Sequence, residues 1–120
     1  MVTPLKISQI SKSFDDKSVL RNVDFTVLSN QIFGFVGLNG VGKTTLIKII
    51  LDLLDQDEGA VEIFGVNKIL PQSRQKICYL PEKFQPPSSL TGREFIAFTL
   101  SFYQQKIDEE ILQKICENLG

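Results

Sequence analysis

This chain of 120 residues contains no histidine and no tryptophan, one methionine and two cysteines. Without histidine there is no Ser-His-Asp triad, no zinc finger of the Cys/His type and no imidazole metal site. Cys78 and Cys116 stand far apart without C-x-x-C spacing, so both are expected as small buried apolar side chains, in keeping with a reducing cytoplasm. Neither sign of charge is in excess: thirteen Lys and Arg stand against fourteen Asp and Glu, a net charge of −1. That balance gives no basic footprint, and no nucleic acid is expected as a partner. No apolar run approaches the ~18 residues of a membrane span, and Met1-Val2-Thr3-Pro4-Leu5-Lys6 lacks the apolar core of a signal peptide. A hydrophobic content of 42% is ordinary for one small globular domain.

What the chain does have is Gly37-Leu38-Asn39-Gly40-Val41-Gly42-Lys43-Thr44-Thr45, which matches the phosphate-binding pattern G-x-x-x-x-G-K-S/T. Glycines let successive main-chain amides turn inward toward an anion, and a helix N-terminus adds partial positive charge. Lys43 is expected to reach the β- and γ-phosphate oxygens, and the Thr44 hydroxyl to bind Mg²⁺. The alternative is a glycine-rich turn with a structural role only. The flanks favour the phosphate site. Ile32, Phe33, Phe35 and Val36 predict a parallel strand covered on both faces. Leu46, Ile47, Ile49, Ile50, Leu51, Leu53 and Leu54 are apolar on more than one stripe, so the following helix is expected to be deeply buried.

Elsewhere Leu5 and Ile7, then Val23, Phe25 and Val27, alternate with polar residues and predict an antiparallel strand pair joined by a polar connection from Ser11 to Ser18. Asn30 is suited to a left-handed turn residue. Asp55-Gln56-Asp57-Glu58-Gly59 is expected as a polar, solvated corner, with a short strand around Val61 and Ile63 and a turn at Gly65. Ile77-Cys78-Tyr79-Leu80 predicts a buried strand stopped at Pro81. Thr91-Gly92-Arg93-Glu94 is a capping box, and the aromatics of the helix it starts are expected to pack rather than stack on a base. Another helix is expected from about Asp108, with Ile111, Leu112, Ile115, Cys116 and Leu119 on one face.

Together these segments resemble the start of an ATP-binding cassette (ABC) ATPase, the engine subunit of ABC transporters. Ser11-Lys12-Ser13-Phe14 and Val19-Leu20-Arg21-Asn22-Val23-Asp24-Phe25 are similar to the family's opening strand pair, which implies that Phe14 stacks on adenine. The loop from Gly37 to Thr45 is similar to the Walker A loop, which makes Asn39, Gly40, Val41, Gly42, Lys43, Thr44 and Thr45 the ATP-binding set and Lys43 the catalytic candidate. Ile77-Cys78-Tyr79-Leu80-Pro81-Glu82 resembles the Q-loop segment, with Glu82 where a glutamine is usual; the resemblance implies that Glu82 faces Mg²⁺.

The implied fold is α/β, a partial P-loop NTPase with a mixed sheet, N-terminal antiparallel strands and the start of a helical subdomain. The core is expected over residues 1–87 and the subdomain over 88–120. The signature segment, the Walker B aspartate and the switch histidine of the resembled family have no match here, so the chain reads as the Walker A half of a larger domain, binding nucleotide without turnover by itself. The implied parent hydrolyses ATP with Mg²⁺ beside a second ABC ATPase subunit, as a homo- or heterodimer, and drives an integral membrane permease from the cytoplasmic face. A non-enzymatic nucleotide-binding fragment, a soluble ABC-class ATPase not involved in transport, and another P-loop enzyme such as a small-molecule kinase or GTPase are the alternatives.

Overall fold

In a regular strand residues three apart face opposite ways, yet Ile7 and Ile10 are both buried in the core. A bulge reconciles them. In the computed structural model, which describes residues 3–119, β1 (Leu5–Phe14) takes three steps from Ile7 to Ile10 while β2 (Lys17–Val27) takes two, from Phe25 to Val23. Gln9 absorbs the extra residue at φ 51°, and its N–H donates to Asp24 Oδ1 at 2.9 Å. On the other strand Asn22, at φ 43°, makes the opposite correction between Val23 and Leu20. Its N–H donates to Ser11 Oγ at 3.1 Å. The expected antiparallel pair is therefore present, and longer than its alternation suggested. The polar connection expected over Ser11–Ser18 is mostly strand, turning only at Asp15 and Asp16.

β3 (Glu58–Ile63) pairs antiparallel with the other edge of β1, and β4 (Val66–Asn67) follows through Phe64 and Gly65, both at positive φ as a tight hairpin requires. The sheet order is β2-β1-β3-β4. Gly59 lies at φ 91° opposite the Gln9 bulge, where a Cβ would come within 2.4 Å of the Ser8 and Gln9 carbonyl oxygens. Only glycine fits that approach. Against one face of the sheet lies α1 (Lys43–Ile50), whose Leu46 and Ile49 join Ile7, Ile10, Leu20, Val61 and Ile63 in the core. The helix is buried along one stripe rather than all round: Ile47 is exposed, as is Leu53 beyond its end. It also stops earlier than its apolar run, at Leu51, with Asp52 at φ 59°.

What holds that stop is a charge cluster. Lys68, only 1% exposed, donates to Asp52 Oδ1 at 3.0 Å and to the Leu54 carbonyl at 3.3 Å. Arg74, in the short 3₁₀ helix Pro71–Lys76, donates to Asp52 Oδ2 at 3.0 Å and to the Lys68 carbonyl. A buried ammonium is tolerated only when so paired.

Two predicted strands are absent. Residues 32–36 lie outside any ladder and any helix, and Ile32 is fully exposed. Among the described residues no strand lies beside them to satisfy their amides and carbonyls, and without a ladder an apolar run is not a strand. Phe33 and Phe35 instead stack on Phe25 of β2, at centroid distances of 5.0 and 5.8 Å. Residues 78–80 likewise form no strand, and Tyr79 and Leu80 are exposed. Cys78 and Cys116 are both exposed free thiols, against the expectation of burial, because the segments carrying them do not enter the core.

The chain divides into two compact units, one ending at Ile77 and the other beginning at Cys78. The expected core boundary at 87/88 falls inside the second unit, and its outer limits at residues 1 and 120 lie outside the described residues. In the second unit α2 (Gly92–Ser101) starts with the expected capping box: Thr91 Oγ1 accepts from the Glu94 N–H, and Glu94 accepts from the Thr91 N–H at 2.8 Å. α3 (Glu109–Leu119) starts where Asp108 Oδ1 accepts from the Ile111 N–H, and Arg93 pairs with Glu109 across the two helices. Aromatic rings pair, Phe84 with Phe95 at 5.4 Å and Phe98 with Phe102 at 4.9 Å, while Phe84, Phe98 and Phe102 stay exposed. Neither helix buries a side chain fully.

Candidate functional site

The segment between the exposed apolar run and α1 curls back on itself. Gly40 at φ 83° and Gly42 at φ 100° occupy the left-handed region that disfavours any side chain. Gly42 is also the residue that seats the loop. A Cβ there would stand 2.9 Å from Leu20 Cδ2 and Val19 Cγ1 and 3.0 Å from the Val19 carbonyl oxygen, so bare backbone rests directly on β2. The loop narrows at Gly37 as well, where a Cβ would meet Val41 Cγ2 at 3.0 Å.

Gly42 is the N-cap of α1 and offers no side chain to the first-turn amides. A helix normally has four N-terminal N–H groups to satisfy, and a glycine cap leaves them for another acceptor. No acidic side chain occupies the first turn, so nothing there repels an anion. Lys43 begins the helix and folds back over the loop, donating to the Gly37 carbonyl and, at 2.7 Å, to the Leu38 carbonyl. Two of its three donors are engaged, which fixes the ammonium at the loop while its charge and remaining N–H stay available. Thr44 is exposed in the first turn and Thr45 half-buried behind it. Asn39 and Val41 are exposed on the loop. A tightly curled loop, positive φ at its glycines, an ammonium and an open helix start are what a polyphosphate requires, and the residues fit that group.

Phe14, at the tip of β1, is 44% exposed. It belongs to the same unit as the loop, and the strand pair relates them: Leu20, under Gly42, is the register partner of Lys12, two residues from Phe14. Glu82 lies in an exposed turn of the second unit.

Sequence reasoning missed the residues that support these. Val19 and Leu20 form the floor of the loop, and only the need for glycine at position 42 could have hinted at a floor. Asp57, assigned to a solvated corner, accepts from Lys12 Nζ at 2.7 Å and from the Ser13 N–H at 2.7 Å. The hydrogen bond from Lys12, and after it that from Ser13, holds the Asp57 carboxyl below the usual carboxylate range. Among the described residues no cluster of three or more acidic, cysteine or histidine side chains is placed to hold a metal ion.

Comparison with known proteins points the same way. A family model described as ABC transporter matches residues 20–120. The chain is 32% identical over 109 residues to the zinc import ATP-binding protein ZnuC of Acinetobacter baylyi, covering 91% of this chain and 39% of that one. It is 46% identical over 127 residues to the ribose import ATP-binding protein RbsA of Shouchella clausii, covering 97% of this chain and 26% of that one. Among solved structures, a Pyrococcus furiosus protein described as an ABC transporter ATP-binding protein superposes with a TM-score of 0.81 at 29% identity, over 94% of this chain and 55% of its own. The chain thus spans about a quarter to two fifths of those two curated relatives and about half of that solved structure. No helix among the described residues is long and apolar enough to cross a membrane. The α/β phosphate-loop fold agrees with these neighbours, and the chain belongs to the ABC transporter family, within its ATP-binding domain.

Proposed function

We propose that this chain supplies the Walker A half of the ATP site in an ABC transporter subunit, and that the intact protein hydrolyses ATP to drive a membrane permease from the cytoplasmic face. The observation that carries the reading is the loop itself: Gly40 and Gly42 at positive φ, Lys43 bound back over it, and α1 opening without a side-chain cap. The amides of Asn39 through Thr45 bind the β- and γ-phosphates, and Lys43 offsets their charge as it redistributes during phosphoryl transfer. The Thr44 hydroxyl would hold Mg²⁺. Glu82 is carried as a metal-facing residue on the likeness of Leu80-Pro81-Glu82 to the Q-loop segment alone. Bound Mg²⁺ supplies electrostatic stabilisation of the phosphoryl oxygens. Phe14 stacks on adenine. The groups that position the attacking water come from outside residues 1–120, so this chain alone binds nucleotide without turnover. A second ABC ATPase subunit, identical or not, completes the site.

The test is Lys43→Ala in the intact protein, with ATP affinity measured by calorimetry and folding checked by circular dichroism. Losing a hydrogen bond to a charged partner is worth roughly 1.5–3 kcal/mol, or about a 10- to 150-fold loss of affinity. A folded variant that binds ATP as tightly as the wild type refutes the assignment.

A further inference from the structure

The reading of Phe14 as the base-stacking residue leaves open what orients its ring. A half-exposed phenylalanine at a hairpin tip, next to Asp15 at φ 49°, is not held by the strand alone. Lys12 and Phe14 are two apart on β1 and so share a face. That face leads to the core, because Lys12 pairs in register with buried Leu20. Accordingly the Lys12 side chain is only 14% exposed, and its ammonium emerges 5.5 Å from the Phe14 ring centroid, over the ring.

Asp57 fixes that arrangement from the chain segment leading into β3. One carboxylate oxygen accepts from Lys12 Nζ at 2.7 Å, the other accepts from the Ser13 N–H at 2.7 Å, and the Asp57 N–H donates to the Ser11 carbonyl at 2.9 Å. Three consecutive residues before Phe14 are thus held by one aspartate. We propose that Lys12 and Asp57 are positioning residues for nucleotide binding: the ammonium closes one face of Phe14 and fixes the ring, leaving the opposite face for a base. An ammonium over an aromatic face is attractive, so the closed side is stable without a packed wall. Base stacking depends on π surface rather than on hydrogen-bond pattern, so the arrangement fits the base without reading its edges.

The inference rests on the proposed role of Phe14, and the experiment separates the two. ATP and inorganic tripolyphosphate, each with Mg²⁺, are titrated calorimetrically into the intact wild-type protein and into Phe14→Ala, Lys12→Met and Asp57→Asn. Phe14→Ala is expected to weaken ATP about fivefold or more. Lys12→Met and Asp57→Asn are expected to weaken it about two- to fivefold. All three should bind tripolyphosphate like the wild type, a split that a general folding defect would not give. If Phe14→Ala weakens ATP while the other two do not, the positioning role is wrong and the base contact stands. If Phe14→Ala binds ATP normally, both fall. Parallel loss of tripolyphosphate binding in Lys12→Met or Asp57→Asn overturns the inference by placing those residues on the phosphates or in the fold.

Discussion

Replacing Gly42 by alanine tests whether the phosphate loop is seated by backbone lying against β2. Two costs can be separated. At φ 100° an alanine is in left-handed territory, which costs roughly 1–2 kcal/mol. Its Cβ would also press on Leu20 Cδ2 and Val19 Cγ1 at 2.9 Å and on the Val19 carbonyl oxygen at 3.0 Å. The two methyls can rotate away, but the carbonyl is part of the β2 backbone and cannot. The loop must therefore lift by a few tenths of an ångström, an overpacking cost of about 1–3 kcal/mol. Gly40→Ala is the control, because Gly40 has φ 83° but nothing within 4 Å of where a Cβ would go. It incurs the dihedral cost alone. Denaturant melts of the intact protein should show Gly42→Ala destabilised by about 2–5 kcal/mol and Gly40→Ala by about 1–2 kcal/mol. ATP titration should rank the two variants in the same order, since lifting the loop displaces the amides that face the phosphates. If the two variants are equally stable, the floor formed by Val19 and Leu20 is not what seats the loop.

The charge cluster at the end of α1 gives a second prediction. Lys68→Ala leaves Asp52 to Arg74 alone and opens a void where a buried stem had been, and should cost about 2–4 kcal/mol in a denaturant melt. Lys68→Met keeps the stem and should cost at least about 1 kcal/mol less; equal losses would mean that the ammonium, not the packing, carries the effect. The third concerns acid. The Asp57 carboxyl is held below its ordinary value by Lys12 and then by the Ser13 N–H, and the Glu94 carboxyl by the Thr91 N–H and then the Thr91 side chain. For a depressed carboxyl the stabilisation is complete above the unfolded value and is lost as pH falls through the folded one, so both contributions fade below about pH 4. Asp57→Asn should flatten part of the acid limb of melting temperature against pH and leave the Glu94 part; an unchanged acid limb would show that the Lys12 contact does not persist in solution.

What was legible in the sequence was whatever depends on neighbours along the chain. The loop from Gly37 to Thr45, the Thr91–Glu94 capping box and the left-handed Asn30 are written within a few positions of themselves, and each is where its pattern put it. Features that depend on distant partners were not. The apolar run at 32–36 has the composition of a central strand, but composition supplies no ladder, and Phe33 and Phe35 settle on Phe25 instead. Lys68 looks like any surface lysine until a left-handed Asp52, sixteen residues earlier, brings a carboxylate to it. The bulges at Gln9 and Asn22 are the least visible, since neither is a glycine and neither interrupts an apolar alternation in an obvious way. Yet they have the largest consequence for the site. Without the extra residue at Gln9, Ile10 and Lys12 would turn away from the core face. Without its counterpart at Asn22, Leu20 would not return to that face beneath Gly42. The loop's floor and the aromatic at the hairpin tip therefore share one strand pair whose parity Gln9 and Asn22 restore as far as Lys12 and Leu20, before a third register shift between Lys12 and Ser13 leads to the tip, and the phosphate motif alone could not have placed either of them.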